Sequence, residues 1–282
     1  MREISTSEDT RMLKAALERE STPLSRREET TSYTHFHSGQ QPSFRPAPKL
    51  TDGQIHIWTI SHRCFSVSDY IPLLSTDELK RAADMRFPHL FDRFVADHGA
   101  LRLLLSAYLE TDPRSLQLVA NMYGKPSLLL PNCRLRFNMS HSGGITVIAV
   151  CLGADLGVDV EAIRPLLEWE EIAASHFSPD ERESIQNEQP DTQLDAFFRC
   201  WTRKEALIKA IGMGLSIPLD SFSVTTSLEE PPRLLRCTWN SEEASRWTLL
   251  HLGPAQGYVG ALAVERRDWL TSYFEWPIRT SH

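Results

Sequence analysis

Residues 194–215 have the sequence LDAFFRCWTRKEALIKAIGMGL. Apolar side chains recur there at intervals of three and four residues, which predicts an amphipathic helix packed against a core. Gly212 supplies the end of the helix, because glycine tolerates the left-handed backbone conformation that terminates helices. We expect the rest of the chain to be organised around this helix.

One acidic side chain in this helix has an unusual position. Glu205 projects beside Trp201 and Lys209, toward the aromatic face, although helices usually keep carboxylates on the solvent side. A partly exposed ion pair between Glu205 and Lys209, one turn apart, is a common and weakly stabilising feature. A functional carboxylate is the alternative, and the helix alone does not decide between the two.

Length and charge restrict the function of the chain. A chain of 282 residues is long enough for one large or two modest domains with real cores. Its formal net charge of −7 provides no global basic field for nucleic acid or a membrane surface. No apolar run is long enough to span a bilayer, and the first residues lack the apolar core of a signal peptide. The five cysteines include no Cys-x-x-Cys pair, so we expect free thiols and a cytoplasmic protein without nucleic-acid or membrane partners.

The sequence divides into a tail and two halves. Residues 1–48 are rich in Ser, Thr, Arg and Glu, then in Gln and Pro, which predicts a largely disordered tail. Residues 49–153 and 154–278 each mix helices with antiparallel strands, so the predicted fold class is α+β. Ile145–Val150 and Tyr258–Val264 are similar enough to suggest that the two halves are related.

Local patterns predict the elements of each half. Capping boxes at Ser75-Thr76-Asp77-Glu78 and Ser178-Pro179-Asp180-Glu181 each open a helix, and a longer helix covers residues 90–109. The nearly all-apolar strand 145–152 is predicted to be central in its sheet. The other predicted strands are 54–60, 135–139, 155–161, 221–226, 234–239, 247–252 and 258–264.

Carboxylates at the end of one predicted strand suggest a metal site. Asp159 and Glu161 are two residues apart, so both side chains leave the same face of the strand. Together with Glu205 they could supply three hard oxygen ligands to one Mg²⁺ ion, which normally completes its shell with water and substrate phosphate. The alternative is that the two acids merely border the turn before Arg164.

Two turns carry groups suited to an anion. Residues 137–144, FNMSHSGG, place Ser140 and His141 in a Gly-rich turn, which can present backbone N–H groups and a histidine to an anion. A Ser–His nucleophile pair is disfavoured, because adjacent side chains point apart and the chain has no Gly-x-Ser-x-Gly elbow. Residues 122–126, MYGKP, hold Lys125 in a second turn, which taken alone is an ordinary solvated loop.

Taken in order, these segments resemble the 4′-phosphopantetheinyl transferases of the surfactin-synthetase-activating (Sfp) type. The resemblance is carried by Tyr123–Pro126, Phe137–Ser142, Gly157–Glu161, Trp201–Ala210 and Pro218–Phe222. Order and spacing agree over about residues 75 to 226. The Trp…Lys-Glu-Ala form of the fourth segment is similar to one branch of the family.

The resemblance implies a fold and an activity. The family's fold is two similar α+β halves arranged as a pseudo-dimer, with coenzyme A in the cleft between them. The activity is transfer of the phosphopantetheine arm of coenzyme A to a serine of an apo acyl or peptidyl carrier protein, with release of adenosine 3′,5′-bisphosphate. The implied cofactor is Mg²⁺, and the implied state is a monomer. Carriers of fatty acid, polyketide, nonribosomal peptide and lysine biosynthesis are all open as partners.

By position in the family's motifs, roles are implied for individual residues. Asp159, Glu161 and Glu205 are the implied magnesium ligands, and Glu205 is also the implied base for the carrier serine, directly or through a metal-bound water. Lys209 would neutralise the pyrophosphate and the charge that develops on the leaving phosphate. His141, with Ser140 in the same motif, would contact the pyrophosphate or 3′-phosphate.

The remaining implied contacts concern the nucleotide end of coenzyme A. Lys125 is implied at the nucleotide, and Arg93 and Arg102 at the 3′-phosphate, with Arg86 as a competitor. Two other functions stay open beside the transferase. One is a coenzyme A-binding or carrier-binding module without catalysis, and the other is a metal-dependent hydrolase of phosphoanhydrides.

Overall fold

The computed structural model describes residues 47–62, 66–266 and 268–276. Almost all of the predicted tail, residues 1–48, therefore lies outside the described residues. The first part of the chain forms β1 (Gln54–Ser61), α1 (Val67–Tyr70), α2 (Thr76–Ala83), α3 (Pro88–Leu109), β2 (Leu118–Ala120), β3 (Pro126–Leu128), β4 (Leu135–Ser142) and β5 (Ile145–Leu152). The second part forms β6 (Leu156–Ala162), α4 (Trp169–His176), α5 (Pro179–Gln186), α6 (Gln193–Ile211), β7 (Phe222–Val224), β8 (Leu234–Cys237), α7 (Glu243–Arg246), β9 (Trp247–Leu252), β10 (Tyr258–Glu265) and β11 (Leu270–Trp276).

Local sequence signals define the ends of several helices. Both predicted capping boxes are present: Ser75 opens α2 with Glu78, and Ser178 opens α5 with Glu181. Helix α6 ends at Gly212, which has φ 77° and so adopts the left-handed conformation predicted for it. These ends follow from interactions within a few residues.

Two sheets form the centre of the molecule. The first has the strand order β11-β1-β5-β4, and the second has the order β6-β10-β9. Strand β5 is interior, as predicted for residues 145–152, and β10 is the middle strand of the second sheet. The two strands that looked alike in sequence therefore hold equivalent central positions.

The core is arranged in layers: α3, the first sheet, the second sheet and α6. On β1, Trp58 and Ile60 pack with α3, whereas Ile55 and Ile57 face the second sheet, as the alternation of a strand requires. Helix α6 packs on the outer face of the second sheet, against side chains such as Ala261. Each sheet thus has one long helix outside and shares an apolar layer inside.

Strand β11 was not predicted from the sequence. It pairs in parallel with β1, from Leu270 opposite Gln54 to Trp276 opposite Ile60. The sequence-based division placed residues 154–278 in the second half, but the chain returns to the first sheet for its last described strand. The strand lies at the edge of the sheet and is half exposed. Its sequence therefore lacks the clear apolar alternation that predicts an interior strand.

Helix α6 has no exposed residue, unlike the amphipathic helix predicted for residues 194–215. Arg199, Arg203 and Lys204 are all buried, although they are charged. They remain buried because backbone carbonyls of the segment after α6 accept hydrogen bonds from them; Lys204 Nζ, for example, donates to the carbonyl of Phe222 and lies 2.8 Å from Glu181 Oε2. Among the described residues, no helix combines the length and apolarity needed to cross a bilayer.

Candidate active site

A glycine brings helix α6 directly onto strand β6. A Cβ atom added at Gly157 would lie 2.2 Å from the carbonyl oxygen of Ala206 and 2.3 Å from the amide nitrogen of Ala210. Only glycine permits so close an approach. Asp159 and Glu161 share the face of β6 with Gly157, so their carboxylates point to the side where α6 lies.

Side chains of β4 join the two sheets beside these acids. The amide nitrogen of Val158 on β6 donates to Asn138 Oδ1 at 2.8 Å. Ser140 Oγ donates to Asp159 Oδ1 at 2.9 Å, and Ser142 Oγ donates to Glu161 Oε2 at 2.8 Å. Asn138, Ser140 and Ser142 alternate along β4, so one face of this strand supplies all three bridges.

A pocket of about 180 Å³ opens where β4, β6, α3 and α6 meet. Both halves of the chain line it. The first half contributes Arg93, Ser140, His141 and Ser142, and the second half contributes Asp159, Glu161, Arg164, Trp201, Glu205 and Lys209. The pocket therefore combines carboxylates with cationic and hydroxyl groups, which is the mixture that a metal-assisted phosphate chemistry needs.

Lys209 crosses from α6 to the acids of β6. Its Nζ lies 2.6 Å from Asp159 Oδ1 and donates to Ser140 Oγ at 2.9 Å and to the carbonyl of Val158 at 3.2 Å. The other carboxylate oxygen of the aspartate, Asp159 Oδ2, is buried and has no hydrogen-bond partner within the described part of the chain. A buried carboxylate oxygen without a donor is costly unless a ligand satisfies it.

Burial and a neighbouring carboxylate raise the pKa values of Asp159 and Glu161. Burial raises the pKa of Asp159; Lys209 opposes this effect, and the neighbouring Glu205 adds to it. Burial, together with the charge of Asp159, raises the pKa of Glu161 to about 7. Closely spaced carboxylates in a water-poor site are stabilised in their charged form by a bound cation.

His141 faces the same pocket from the first half. Its Nδ1 lies 3.1 Å from Oδ2 of Asp97, a buried residue of α3. Burial lowers the pKa of His141 to about 4; Asp97 acts against this shift, whereas Arg93 and Lys209 act with it. The imidazole is therefore neutral near pH 7 in the unliganded protein.

Two of the residues expected at the nucleotide, Arg102 and Lys125, do not line this pocket. Arg102 is 1% exposed, and its guanidinium donates to Glu78 Oε2 at 2.7 Å and to the carbonyls of Pro113 and Leu116. It follows Arg93 by nine residues, about two and a half turns, so the two arginines leave opposite sides of α3. Lys125 Nζ instead donates to the carbonyl of Ala210 at 2.7 Å, near the end of α6.

Three residues of this region were missed from the sequence. Asp97 lies one helical turn after Arg93, a spacing that puts both on the same side of α3 and could have suggested it. Ser142 lies two residues after Ser140 and could have been predicted from the strand alternation. Arg164, which lies over the ring of Phe198 at 5.9 Å, had no local signal beyond its position before a proline.

The donor atoms suit Mg²⁺, but they are not gathered around one point. Among residues 47–62, 66–266 and 268–276, no group of three or more His, Cys, Asp or Glu side chains is arranged to hold a metal ion. Asp159 Oδ1 is engaged by Lys209, whereas the buried Asp159 Oδ2 has no donor. Hard carboxylate oxygens, one of them unsatisfied, are the chemistry that Mg²⁺ prefers.

Comparisons with known proteins agree with this geometry. Residues 155–263, which include β6 and α6, match the model of the 4′-phosphopantetheinyl transferase superfamily. The 4′-phosphopantetheinyl transferase HetI of Nostoc sp. is 32% identical over 243 residues, which are 84% of this chain and 99% of that protein. The chain belongs to the 4′-phosphopantetheinyl transferases. The predicted family and its α+β fold are thereby confirmed.

Other known proteins match a smaller part of the chain. The 4′-phosphopantetheinyl transferase Sfp of Bacillus subtilis is 36% identical over 148 residues, which are 51% of this chain and 64% of that protein. A solved structure, the holo-[acyl-carrier-protein] synthase of Thermotoga maritima, aligns over 40% of this chain and 64% of its own with 21% identity and a TM-score of 0.33.

Proposed function

We propose that this 4′-phosphopantetheinyl transferase moves the phosphopantetheine arm of coenzyme A to a serine of an apo acyl or peptidyl carrier protein and releases adenosine 3′,5′-bisphosphate. One observation carries the proposal: a single pocket holds Arg93 and His141 from the first half opposite Asp159, Glu205 and Lys209 from the second. We further propose that the enzyme is Mg²⁺-dependent and acts as a cytoplasmic monomer.

The cationic side of the pocket suits the phosphates of coenzyme A. Arg93 offers a planar guanidinium that can donate two parallel hydrogen bonds to a phosphate. His141, on the same side, can donate from its ring once it is protonated. Ser140 and Lys209 extend these donors toward the acids, so a pyrophosphate lying across the pocket would meet donors from both halves.

The acidic side of the pocket suits a metal ion. Asp159, Glu161 and Glu205 would hold Mg²⁺, and the unsatisfied Asp159 Oδ2 supports this assignment. When bound, the ion neutralises charge on the pyrophosphate oxygens. Ser142 donates to Glu161 Oε2 and so orients that carboxylate toward the site.

The transfer needs a base and a group that stabilises the leaving phosphate. Glu205 accepts the proton of the carrier serine, whose oxygen then attacks the phosphorus atom next to the pantetheine arm. The pyrophosphate P–O bond breaks, and the leaving adenosine 3′,5′-bisphosphate takes up the electron pair. Lys209, which Ser140 and Asp159 hold in place, faces this growing negative charge.

The test is a transfer assay. Apo carrier proteins of several types are incubated with coenzyme A and the enzyme, with and without Mg²⁺, and the intact carrier mass is measured. We expect a carrier to gain one phosphopantetheine arm in the presence of Mg²⁺, and Glu205→Ala and Asp159→Ala to abolish the gain. Glu170→Gln, on the exposed side of α4, is the control.

Two other outcomes would overturn the proposal. Free phosphopantetheine with an unmodified carrier would indicate a hydrolase. Coenzyme A binding without turnover, across the carrier panel, would indicate a binding module.

A further inference from the structure

The proposed reaction gives no role to Asp97. Its carboxylate does not line the pocket but lies beside His141, which does. Asp97 is only 2% exposed and projects from α3 toward the ends of β1, β4 and β5. His62 Nε2 lies 3.0 Å from its Oδ1, and the hydroxyl of Thr146 donates to the same oxygen. The second oxygen, Oδ2, lies 3.1 Å from His141 Nδ1.

Asp97 is charged in spite of its burial. Burial raises the pKa of Asp97, but the hydrogen bond from His62 and the proximity of His141 outweigh that effect, so its pKa lies below the usual value. An ionised carboxylate can only accept, so Asp97 favours the tautomer of His141 that carries its proton on Nδ1, 3.1 Å from Oδ2. Nε2 is left as the ring nitrogen available to the pocket.

An unprotonated Nε2 cannot hydrogen-bond to a phosphate oxygen, because both atoms are acceptors. Binding therefore requires the imidazolium form, which donates from both nitrogens. The charges that face His141 come from several elements: Arg93 and Asp97 on α3, His62 after β1, Lys209 on α6, and the pocket groups Asp159, Glu161, Arg164 and Glu205. Among the groups that shift the pKa of His141 in the free protein, Asp97 is the one that favours protonation.

We propose that Asp97 is a positioning residue for His141. It fixes the Nδ1-protonated ring with Nε2 toward the pocket, and it supplies the counter-charge when Nε2 takes up a proton from solvent as a phosphate of coenzyme A binds. The inference rests on the proposed function, in which His141 meets those phosphates. Asp97 does not line the pocket and acts through the histidine.

The test combines a spectrum with a double-mutant cycle, and neither needs a carrier protein. Nitrogen-15 spectra of the histidine rings at pH 7, with His141 assigned from His141→Gln, should show protonation at Nδ1 in the free protein and at both nitrogens with coenzyme A bound. A free protein protonated only at Nε2, or a ring that stays neutral with coenzyme A bound, would overturn the proposal. The spectra report on the wild-type chain and need only His141→Gln for the assignment, so they stand even if Asp97→Asn and the double variant fail to fold.

The cycle measures the Kd of coenzyme A by calorimetry for Asp97→Asn, His141→Gln and the double variant. We expect each single variant to weaken binding by about tenfold, and the double variant to bind no more weakly than His141→Gln. Additive losses, or wild-type affinity in Asp97→Asn, would contradict a role through His141. Glu78→Gln is the matched control, since it also replaces a buried carboxylate beside a histidine but lies away from the pocket.

Failure of the proposed function gives a different result. In that case the wild-type enzyme would leave every carrier unmodified, whatever the histidine spectra and coenzyme A affinities show.

Discussion

The two halves of the molecule share a plan but contribute different chemistry to the pocket. In each half a long helix covers the outer face of a sheet with a buried central strand, β5 under α3 and β10 under α6. The first half supplies hydrogen-bond donors, namely Arg93, Ser140, His141 and Ser142. The second half supplies the acids together with Lys209 and Arg164.

This difference comes from two edge strands that lie beside each other, β4 of the first sheet and β6 of the second. On β4 the alternating side chains are hydroxyl and amide groups, whereas on β6 they are a glycine and two acids. The hydroxyls of Ser140 and Ser142 donate to Asp159 and Glu161, so the two edges are complementary and hold the sheets together. Neither half alone contains the full set of donors and acids that the proposed transfer needs.

The largest expected effect comes from removing the proposed base. Glu205→Gln keeps the size of the side chain but cannot accept the serine proton, so we expect kcat to fall about 1000-fold. Steady-state transfer to an apo carrier, with the fold checked by circular dichroism, measures it. Glu170→Gln should keep wild-type kcat, and a Glu205→Gln enzyme with kcat within tenfold of wild type would exclude Glu205 as the base.

The second prediction compares two glycines in close contact with a neighbouring helix: Gly157 on β6, which meets α6, and Gly99 on α3, which meets α1. Gly157→Ala places a methyl group against the backbone of α6, so we expect the free energy of unfolding to fall by about 3 kcal/mol and kcat to fall with it. The methyl group of Gly99→Ala would lie 2.4 Å from the side chain of Tyr70 on α1. Helix α1 does not line the pocket. Gly99→Ala should therefore lower stability while kcat is largely kept.

Denaturant unfolding and transfer kinetics on both variants test this. Gly253→Ala is the control, because an added Cβ there meets nothing within 4 Å. Wild-type kcat in a folded Gly157→Ala enzyme would show that the contact between α6 and β6 does not set the position of the catalytic groups.

The third prediction concerns Glu78, which lies in the first half away from the pocket. Burial raises its pKa, but hydrogen bonds from His98 and Ser75 and the charge of Arg102 lower the pKa of Glu78 to about 2. Its stabilising effect is thus fully present above the unfolded value of 4.5 and is lost as pH falls through about 2. We expect Glu78→Gln to reduce the free energy of unfolding at pH 7 by about 2 kcal/mol.

Denaturant titrations from pH 7 down to pH 3 would show this difference shrinking as the pH falls. The Kd of coenzyme A should stay at its wild-type value, since Arg102 is held at Glu78 and not in the pocket. A weaker affinity for coenzyme A in Glu78→Gln would instead indicate that Arg102 contributes to coenzyme A binding.

The smallest expected effect is that of Lys125→Met. This variant removes the hydrogen bond to the carbonyl of Ala210 near the end of α6, which costs about 1 kcal/mol of stability. Because the amine does not line the pocket, the KM for coenzyme A should change by less than about threefold. A larger rise in KM with unchanged stability would place Lys125 at the nucleotide after all.

Local signals in the sequence were enough to predict much of the fold. Capping boxes, glycine stops and buried strands such as 145–152 depend on residues close together in the chain, and they appear where expected. The proposed ligands Asp159 and Glu205 were selected from the sequence because each lies in a motif with fixed spacing. The structure brings both to one pocket.

Features that depend on distant parts of the chain were not predictable in this way. Strand β11 is defined by its pairing with β1, more than two hundred residues earlier. Buried charges such as Lys204 need partners supplied by segments that follow α6, and Arg102 is turned to Glu78 by the geometry of α3. The contact of Asp97 with His141 could not be predicted from the sequence, because it depends on how β4 packs beside α3.

The division of labour between the halves is tested most directly by the Kd of coenzyme A with and without Mg²⁺. Calorimetry on wild type, His141→Gln and Asp159→Asn gives the six values needed. We predict that Mg²⁺ tightens binding in wild type and in His141→Gln, which is weaker under both conditions, whereas Asp159→Asn loses the gain from Mg²⁺. An Asp159→Asn enzyme with the full gain, or a His141→Gln enzyme with wild-type affinity, would contradict the account.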